Sequence, residues 1–156
     1  ISGHNTRSHR ASCKGNVKMR EDLEKKLVEK YPKIFRNYKG DPRKTCMAWG
    51  MTCGNGWYDL LDRTCQSLAK ISDGIYAEQI KEKFGMLRFY INIEEGVYDK
   101  DPGIWDRIHN ITSQAELDSE LICEDCGKPS TGTKDFKGWI YGLCDECLEK
   151  VKEKRK

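Results

Sequence analysis

The sequence predicts an α+β fold, in which a small domain of helices and a β-hairpin precedes a C-terminal module held by four cysteines. Apolar residues recur at helical spacing in three segments, and a fourth segment alternates apolar and polar residues. Two Cys-x-x-Cys pairs, Cys123/Cys126 and Cys144/Cys147, are separated by 17 residues. A chain of 156 residues has room for one domain and such an appendage.

Residues 1–18 predict a disordered basic tail or a leader, because they show no apolar periodicity and Met19 begins what reads as a natural start. The alternative is a basic arm that contacts phosphates. His4, His9 and Cys13 could in principle also join a metal site.

Residues 19–31 predict the first helix, which Pro32 ends. Residues 32–56 are rich in Gly and Pro and predict a long connection. Within it, the apolar cluster 46–49 is expected to anchor the loop to the core. Its Trp49 is a candidate contact for a partner.

Residues 57–72 predict the second helix, and Gly74 follows its end. Three nearby cysteines, Cys46, Cys53 and Cys65, could be ligands of a second metal. Their spacing matches no compact site, so buried or half-buried thiols are the favoured interpretation.

Residues 75–93 predict a β-hairpin with its turn at Gly85. The second strand should place one set inward, Leu87, Phe89, Ile91 and Ile93, and another outward, Arg88, Tyr90 and Asn92. The first strand should place Tyr76, Ile80 and Phe84 inward and Gln79, Lys81 and Lys83 outward.

The exposed face of this hairpin would gather Lys81, Lys83, Arg88 and Tyr90. Basic groups beside an aromatic ring can contact a phosphate backbone and stack a base. The simpler interpretation is a solvated strand face, since charged residues commonly occupy exposed positions.

Residues 102–120 predict the third helix, with Asp101 as its cap and Pro102 at its first position. Leu117 and Leu121 are expected to continue its apolar face. The helix also carries His109, which is interpreted as a packing residue because no neighbouring nucleophile or carboxylate pattern makes it a base. These elements define a domain over 19–121.

Residues 122–156 predict a zinc ribbon or treble clef in which Cys123, Cys126, Cys144 and Cys147 hold one structural Zn2+. The Gly-rich segment between the pairs predicts a small hairpin, and a helix should begin at the second pair, where its dipole favours thiolates. Redox-active or disulfide pairs are the alternative. Four cysteine ligands close the coordination shell, so the site should perform no chemistry.

The net charge of +3 is unevenly distributed, because residues 1–20 hold five basic and no acidic residues, which leaves −2 on the rest. Zinc with four thiolates lowers the total further, which weakens the bulk electrostatic case for nucleic-acid binding. No apolar run has the length of a membrane span and the N-terminus lacks a secretory pattern, so a cytoplasmic protein without a membrane partner is expected.

Several motifs together resemble a family of small zinc-ribbon proteins of bacteriophages and prophages. They are Y-P-K-I-F-R (31–36), C-G-N-G-W-Y-D-L-L (53–61), K-E-K-F-G-M-L-R-F-Y (81–90), C-E-D-C-G (123–127) and G-W-I-Y-G-L-C-D-E-C (138–147). The likeness covers residues 19–149 and carries no catalytic assignment. It implies an accessory protein inside an infected bacterium that binds host machinery or blocks a defence system.

Three functional hypotheses follow. The first is a non-enzymatic phage protein that binds and inhibits a host protein or nucleoprotein, of the anti-CRISPR type. The second is a nucleic-acid-binding zinc-ribbon regulator that uses the hairpin face and the basic C-terminal end. The third is a treble-clef nuclease, which is disfavoured because the zinc module contains no His.

Overall fold

The structure is a computed structural model that describes residues 17–155. The first half contains α1 (Glu21–Lys30), a 3-10 helix (Cys46–Trp49), β1 (Met51–Thr52), a second 3-10 helix (Asn55–Trp57) and α2 (Tyr58–Ile71). The second half contains β2 (Ile75–Lys83), β3 (Met86–Ile93), α3 (Val97–Lys100), α4 (Ile104–Ser119), β4 (Lys134–Phe136), β5 (Trp139–Tyr141) and α5 (Asp145–Lys154). The α+β class is confirmed. No helix within the described range is long and apolar enough to cross a membrane.

A three-stranded sheet in the order β1-β2-β3 forms the centre of the larger part of the molecule. Strands β2 and β3 are the predicted antiparallel hairpin, and β1 runs parallel to β2 with Met51 opposite Ile80. The sequence did not predict β1, because two residues inside a Gly-rich connection cannot show a period of two.

The predicted inward set on β2 is wrong at Tyr76 and Phe84, and the predicted outward set is wrong at Gln79. A bulge between Ala77 and Gln79 shifts the alternation, so that Gln79 is 9% exposed while Tyr76 is half-buried under the Arg36 guanidinium. Phe84 lies in the hairpin turn and is 65% exposed.

The start of the described chain is tied to the body. Lys18 pairs with the buried Glu24 carboxylate at 2.8 Å, and the Met19 amide donates to the Met51 carbonyl at 3.1 Å. Lys18 therefore belongs to the fold rather than to the predicted tail. The remaining part of that prediction, with His4, His9 and Cys13, lies outside the described residues.

Helix α4 packs against α2 and β3 through a stripe of Ile104, Ile108, Thr112, Ala115 and Ser119. It begins at Ile104 with Gly103 as its cap, rather than at Pro102, because the Asp101 carboxylate pairs with Arg107 instead of capping the helix. The expectation for Leu117 and Leu121 was also wrong. Both are more than half exposed. Leu117 lies on the opposite side of the helix from the stripe, and Leu121 follows the end of the helix at Ser119.

The described residues form two hydrophobic clusters. The larger contains twenty buried residues from α1 to α4 and the central sheet, including Trp57, Leu61 and Ile80. The smaller contains Cys123, Leu143, Cys147 and Leu148. Below, the parts of the described chain around these clusters are called the body (residues 17–121) and the cysteine module (residues 122–155).

Candidate metal centre

The first cysteine pair lies in a tight turn. The Cys123 amide donates to the Lys128 carbonyl at 2.8 Å, and the Gly127 amide donates to the Cys123 carbonyl at 3.0 Å. Gly127 has a φ of +79°, which a glycine adopts without steric cost. This turn directs both sulfurs of the pair toward the second pair.

The second pair begins α5. Cys144 is the N-cap residue and Cys147 is the third residue of the helix. The predicted hairpin (β4 and β5) and the predicted helix are therefore present, and the order of turn, hairpin and helix is that of the treble clef. The amide of Cys147 is the main cause that lowers the pKa of the Cys144 thiol to about 7.

The four sulfur atoms form one cluster, in which all lie within 4.8 Å of one another. The Cys126 and Cys144 sulfurs are 3.7 Å apart. Cys123 and Cys147 are buried, Cys144 is half-buried and Cys126 is exposed. The arrangement is positioned to bind one metal ion.

The three remaining cysteines of the described chain, Cys46, Cys53 and Cys65, do not form a second metal site. Within residues 17–155, no other group of three or more His, Cys, Asp or Glu side chains comes together in this way. Cys53 and Cys65 are buried free thiols, and burial raises the pKa of both. Cys46 is also buried.

The first cysteine turn rests on the loop that precedes α2. The Gly56 amide donates to the Glu124 carbonyl at 2.7 Å, and the Gly54 amide donates to the Glu124 carboxylate at 2.9 Å. A Cβ atom on Gly56 would lie 2.1 Å from the Cys123 carbonyl oxygen, so the two backbones touch only because this residue is glycine. Next to this contact, the Trp57 indole N–H donates to the Ile122 carbonyl at 2.9 Å.

The second cysteine turn rests on the hairpin of the body. A Cβ atom on Gly142 would lie 2.1 Å from the Gly85 carbonyl oxygen, and one on Gly85 would lie 2.8 Å from the carbonyl carbon of Tyr141. Gly142 also accepts a hydrogen bond from the Glu124 amide at 2.8 Å, which joins the two cysteine turns. The cysteine module thus contacts the body at two glycine turns, one for each pair.

Glu124 is the buried acid at this junction. Burial is the main cause that raises its pKa to about 7, and the nearby Glu82 carboxylate adds to the shift. Glu82 in turn accepts a hydrogen bond from the Gly85 amide at 2.6 Å. The backbone of the hairpin turn therefore contacts the second cysteine turn, and the Glu82 carboxylate acts on the first cysteine turn through charge repulsion with Glu124.

The predicted hairpin residues Lys81, Lys83, Arg88 and Tyr90 occupy neighbouring positions on β2 and β3. Lys81 is directly opposite Arg88, and its ammonium lies 5.9 Å from the centre of the Tyr90 ring. Arg88 forms a 3.2 Å ion pair with Glu116 of α4. Partial burial, followed by the charges of Lys83 and Arg88, lowers the pKa of Lys81.

Trp49 lies outside this cross-strand group. It is half-buried in the first 3-10 helix, as an anchor of the loop would be, and lines a cavity of about 180 Å³ together with Tyr38 and Lys39.

The exposed aromatic residues that the sequence does not identify include Phe84 and Trp139. Phe84 at the hairpin turn is 65% exposed and Trp139 on β5 is 45% exposed. The signal for Phe84 was its place directly before Gly85, where a two-residue turn would leave it outside the strand alternation. His109 is exposed and stacks on Trp105, with ring centres 5.5 Å apart.

Comparisons with models of protein families, with curated proteins and with solved structures found no match to this chain.

Proposed function

We propose that Cys123, Cys126, Cys144 and Cys147 bind one structural zinc ion. Zinc–sulfur bonds of about 2.3 Å in a tetrahedron place the sulfurs about 3.8 Å apart. The 3.7 Å separation of the Cys126 and Cys144 sulfurs fits this geometry. Soft thiolate ligands in a tetrahedral set also favour zinc over magnesium or calcium.

Elemental analysis of protein purified without chelator tests the identity of the metal. We expect one zinc per chain in the wild type. Substitution of any one of the four cysteines should abolish zinc binding. A content well below one zinc per chain, or another metal in its place, would contradict the assignment.

We infer that the protein is a non-enzymatic accessory protein of bacteriophage origin, which binds and inhibits a host macromolecule in the cytoplasm of an infected bacterium. A defence nucleoprotein of the CRISPR effector class is the expected type of target. The family likeness of the motifs supports the phage setting. Four thiolate ligands leave no open coordination position, which supports a structural rather than a catalytic role for the metal.

The observation that carries this proposal is that each cysteine turn contacts the body at a glycine, the first at Gly56 and the second at Gly85. Through Gly142 and Gly85, the metal module fixes the turn between β2 and β3. A hairpin supported on one side by a metal module presents Lys81, Lys83 and Tyr90 in a fixed arrangement. Preorganised surfaces of this kind lower the entropic cost of binding a partner.

Crosslinking in bacterial cells tests the proposal. The tagged full chain would be compared with Lys81→Glu/Lys83→Glu on the hairpin and with Lys25→Glu/Lys26→Glu on α1, as a control with the same charge change. We expect the wild type and the α1 variant to recover the same macromolecule and the hairpin variant to lose it. Identical recovery by all three chains would remove the hairpin surface from the proposed function.

A nucleic-acid-binding regulator is the second candidate function. The cross-strand pair of Lys81 and Arg88, with the Tyr90 ring beside it, is the observation that favours it.

A further inference from the structure

The turn between β2 and β3 has an unusual composition. It consists of Phe84 and Gly85, with φ values of +54° and +79°, and therefore has the two positive φ angles of a type I′ hairpin turn. Asn, Asp and Gly are the usual residues in its first position, because a side chain with a bulky Cβ substituent is unfavourable at positive φ. A phenylalanine there costs stability compared with asparagine.

Burial does not offset this cost, because Phe84 is 65% exposed. The second hairpin of the molecule provides a comparison. Its turn residues Lys137 and Gly138 have φ values of +55° and +82°, so the same turn type carries an exposed polar residue at the same position. The turn geometry therefore does not require an aromatic residue, and Phe84 is explained by neither the turn nor the core.

Two lysine ammonium groups lie beside exposed aromatic rings on this hairpin. The Lys83 ammonium lies 5.6 Å from the centre of the Phe84 ring, and the Lys81 ammonium lies 5.9 Å from that of Tyr90. Tyr90 is 44% exposed. Among the contacts of residues 17–155, neither lysine has an ion-pair partner, whereas Arg88 is paired with Glu116. Two aromatic rings are thus each accompanied by an uncompensated ammonium group.

We propose that this hairpin surface binds single-stranded nucleic acid, with Phe84 and Tyr90 stacking on bases and Lys81 and Lys83 contacting phosphates. This inference rests on the proposed function and names the class of its ligand. Rings interleaved with basic groups are the recognition pattern for single strands, since every base offers a stacking face. A protein partner is less well matched, because lysine is depleted in the cores of protein interfaces.

Fluorescence anisotropy with labelled 15-nucleotide dT and rU oligomers tests the proposal on the full chain. The decisive variant is Phe84→Asn, because asparagine suits the left-handed backbone and removes the ring. We expect affinity to fall about 5- to 150-fold, the range of one lost base-stacking contact. We expect the melting temperature to stay the same or rise, so a loss of binding cannot be due to unfolding.

Two control variants match the decisive one. Lys137→Asn changes the same turn position in the second hairpin, and Tyr98→Ala removes a ring that is 53% exposed elsewhere. Both should bind within about twofold of the wild type. The double variant Lys81→Gln/Lys83→Gln should reduce the slope of log affinity against log salt by about 1.4, since each phosphate contact on a single strand contributes about 0.7. All variants keep the basic residues of the N-terminus, so the contribution of those residues cancels.

Equal binding by the wild type and Phe84→Asn would overturn the inference, as would a loss of the same size in Lys137→Asn. Absence of salt-sensitive binding to either oligomer would also overturn it. If Phe84→Asn fails to recover a host protein that the wild type recovers after nuclease treatment, the ligand is a protein. In that case the proposed function stands and this inference fails.

Discussion

The body and the cysteine module are stabilised in different ways. The body buries twenty residues in one apolar cluster, which is sufficient for a domain of about one hundred residues. The module buries four, and two of these are Cys123 and Cys147. Chains below about forty residues usually need a metal or disulfides, so the module depends on its proposed metal to a degree that the body does not.

The two parts nevertheless share an interface made of backbone. Gly56 contacts Cys123, and Gly85 contacts Gly142, at distances that no side chain could occupy. Backbone contacts of this kind allow little adjustment, because there is no flexible side chain between them. The comparison therefore predicts that the module can unfold without the body, while a change at the shared interface affects both.

Loss of the metal should have the largest effect. Cys126→Ser removes one of four ligands, and binding free energies for structural zinc are about 10–16 kcal/mol. We expect the variant to lose zinc and the module to unfold, because metal binding and folding are coupled at such sites. Amide hydrogen exchange should then be fast throughout residues 122–155 and still slow in α2 and β2.

Cys65→Ser is the matched control for that experiment, because it changes a cysteine of the body that is distant from the cluster in sequence and is a buried free thiol. It should keep one zinc per chain, although burying a hydroxyl group lowers stability. Loss of zinc in Cys65→Ser, or retention of a full zinc content in Cys126→Ser, would contradict the assignment of the ligands.

A cavity in the body should have the next largest effect. Leu61 on α2 is fully buried, and Leu61→Ala should lower the free energy of unfolding of the body by about 2–5 kcal/mol. Urea titration followed by tryptophan fluorescence measures the change. Folded Leu61→Ala should still bind one zinc per chain, since no ligand is altered. Loss of zinc from the folded variant would show that the cysteine module is not stabilised independently of the body.

A change at the shared interface should affect both parts by an intermediate amount. Gly56→Ala places a Cβ atom 2.1 Å from the Cys123 carbonyl oxygen and 2.5 Å from the Gly127 amide nitrogen. Overpacking of this kind costs about 1–3 kcal/mol. We expect a lower melting temperature together with faster transfer of zinc to a chelator.

Gly103→Ala is the control for the interface, because the only neighbour of its Cβ atom is an Asp101 carboxylate oxygen at 4.0 Å. Zinc transfer from this variant should match the wild type. Equal zinc transfer from Gly56→Ala and the wild type would show that the interface does not support the metal site.

Much of this architecture could be predicted from the sequence, because helical periodicity and the Cys-x-x-Cys spacing are local signals. The ends of the predicted helices fall within two residues of the observed ones. The errors arose where tertiary contacts or backbone irregularities decide. The bulge after Ala77 places Gln79 inward and leaves Tyr76 half-buried, whereas Ile80 is buried as predicted. The Asp101 carboxylate pairs with Arg107 instead of capping the helix.

The four cysteines of the candidate site could be predicted, but their support could not. The role of Gly56 and Gly85 depends on which backbone lies against each glycine, and no pattern within one segment contains that information. Alternation extended through the turn predicts that Phe84 lies in the core. Its positive φ places it outside that alternation.

Substitution of Asp62 should have the smallest effect, and it tests whether the body and the cysteine module respond to acid independently. Asp62 on α2 accepts hydrogen bonds from Lys30 at 2.8 Å and from the Tyr31 hydroxyl at 2.7 Å, and these donors, Lys30 first, lower the pKa of its carboxyl group. A lowered pKa in the folded state adds stability above the unfolded value of about 3.9, and this stability is lost as the pH falls through the folded value. Asp62→Asn should therefore cost about 1 kcal/mol at pH 7 and less near pH 3, as measured by urea titration. Zinc release on acidification requires protonation of thiolates, so it should occur at the same pH in the wild type and in Asp62→Asn. A shift of that pH in Asp62→Asn would show that the ion pair of the body also supports the metal site.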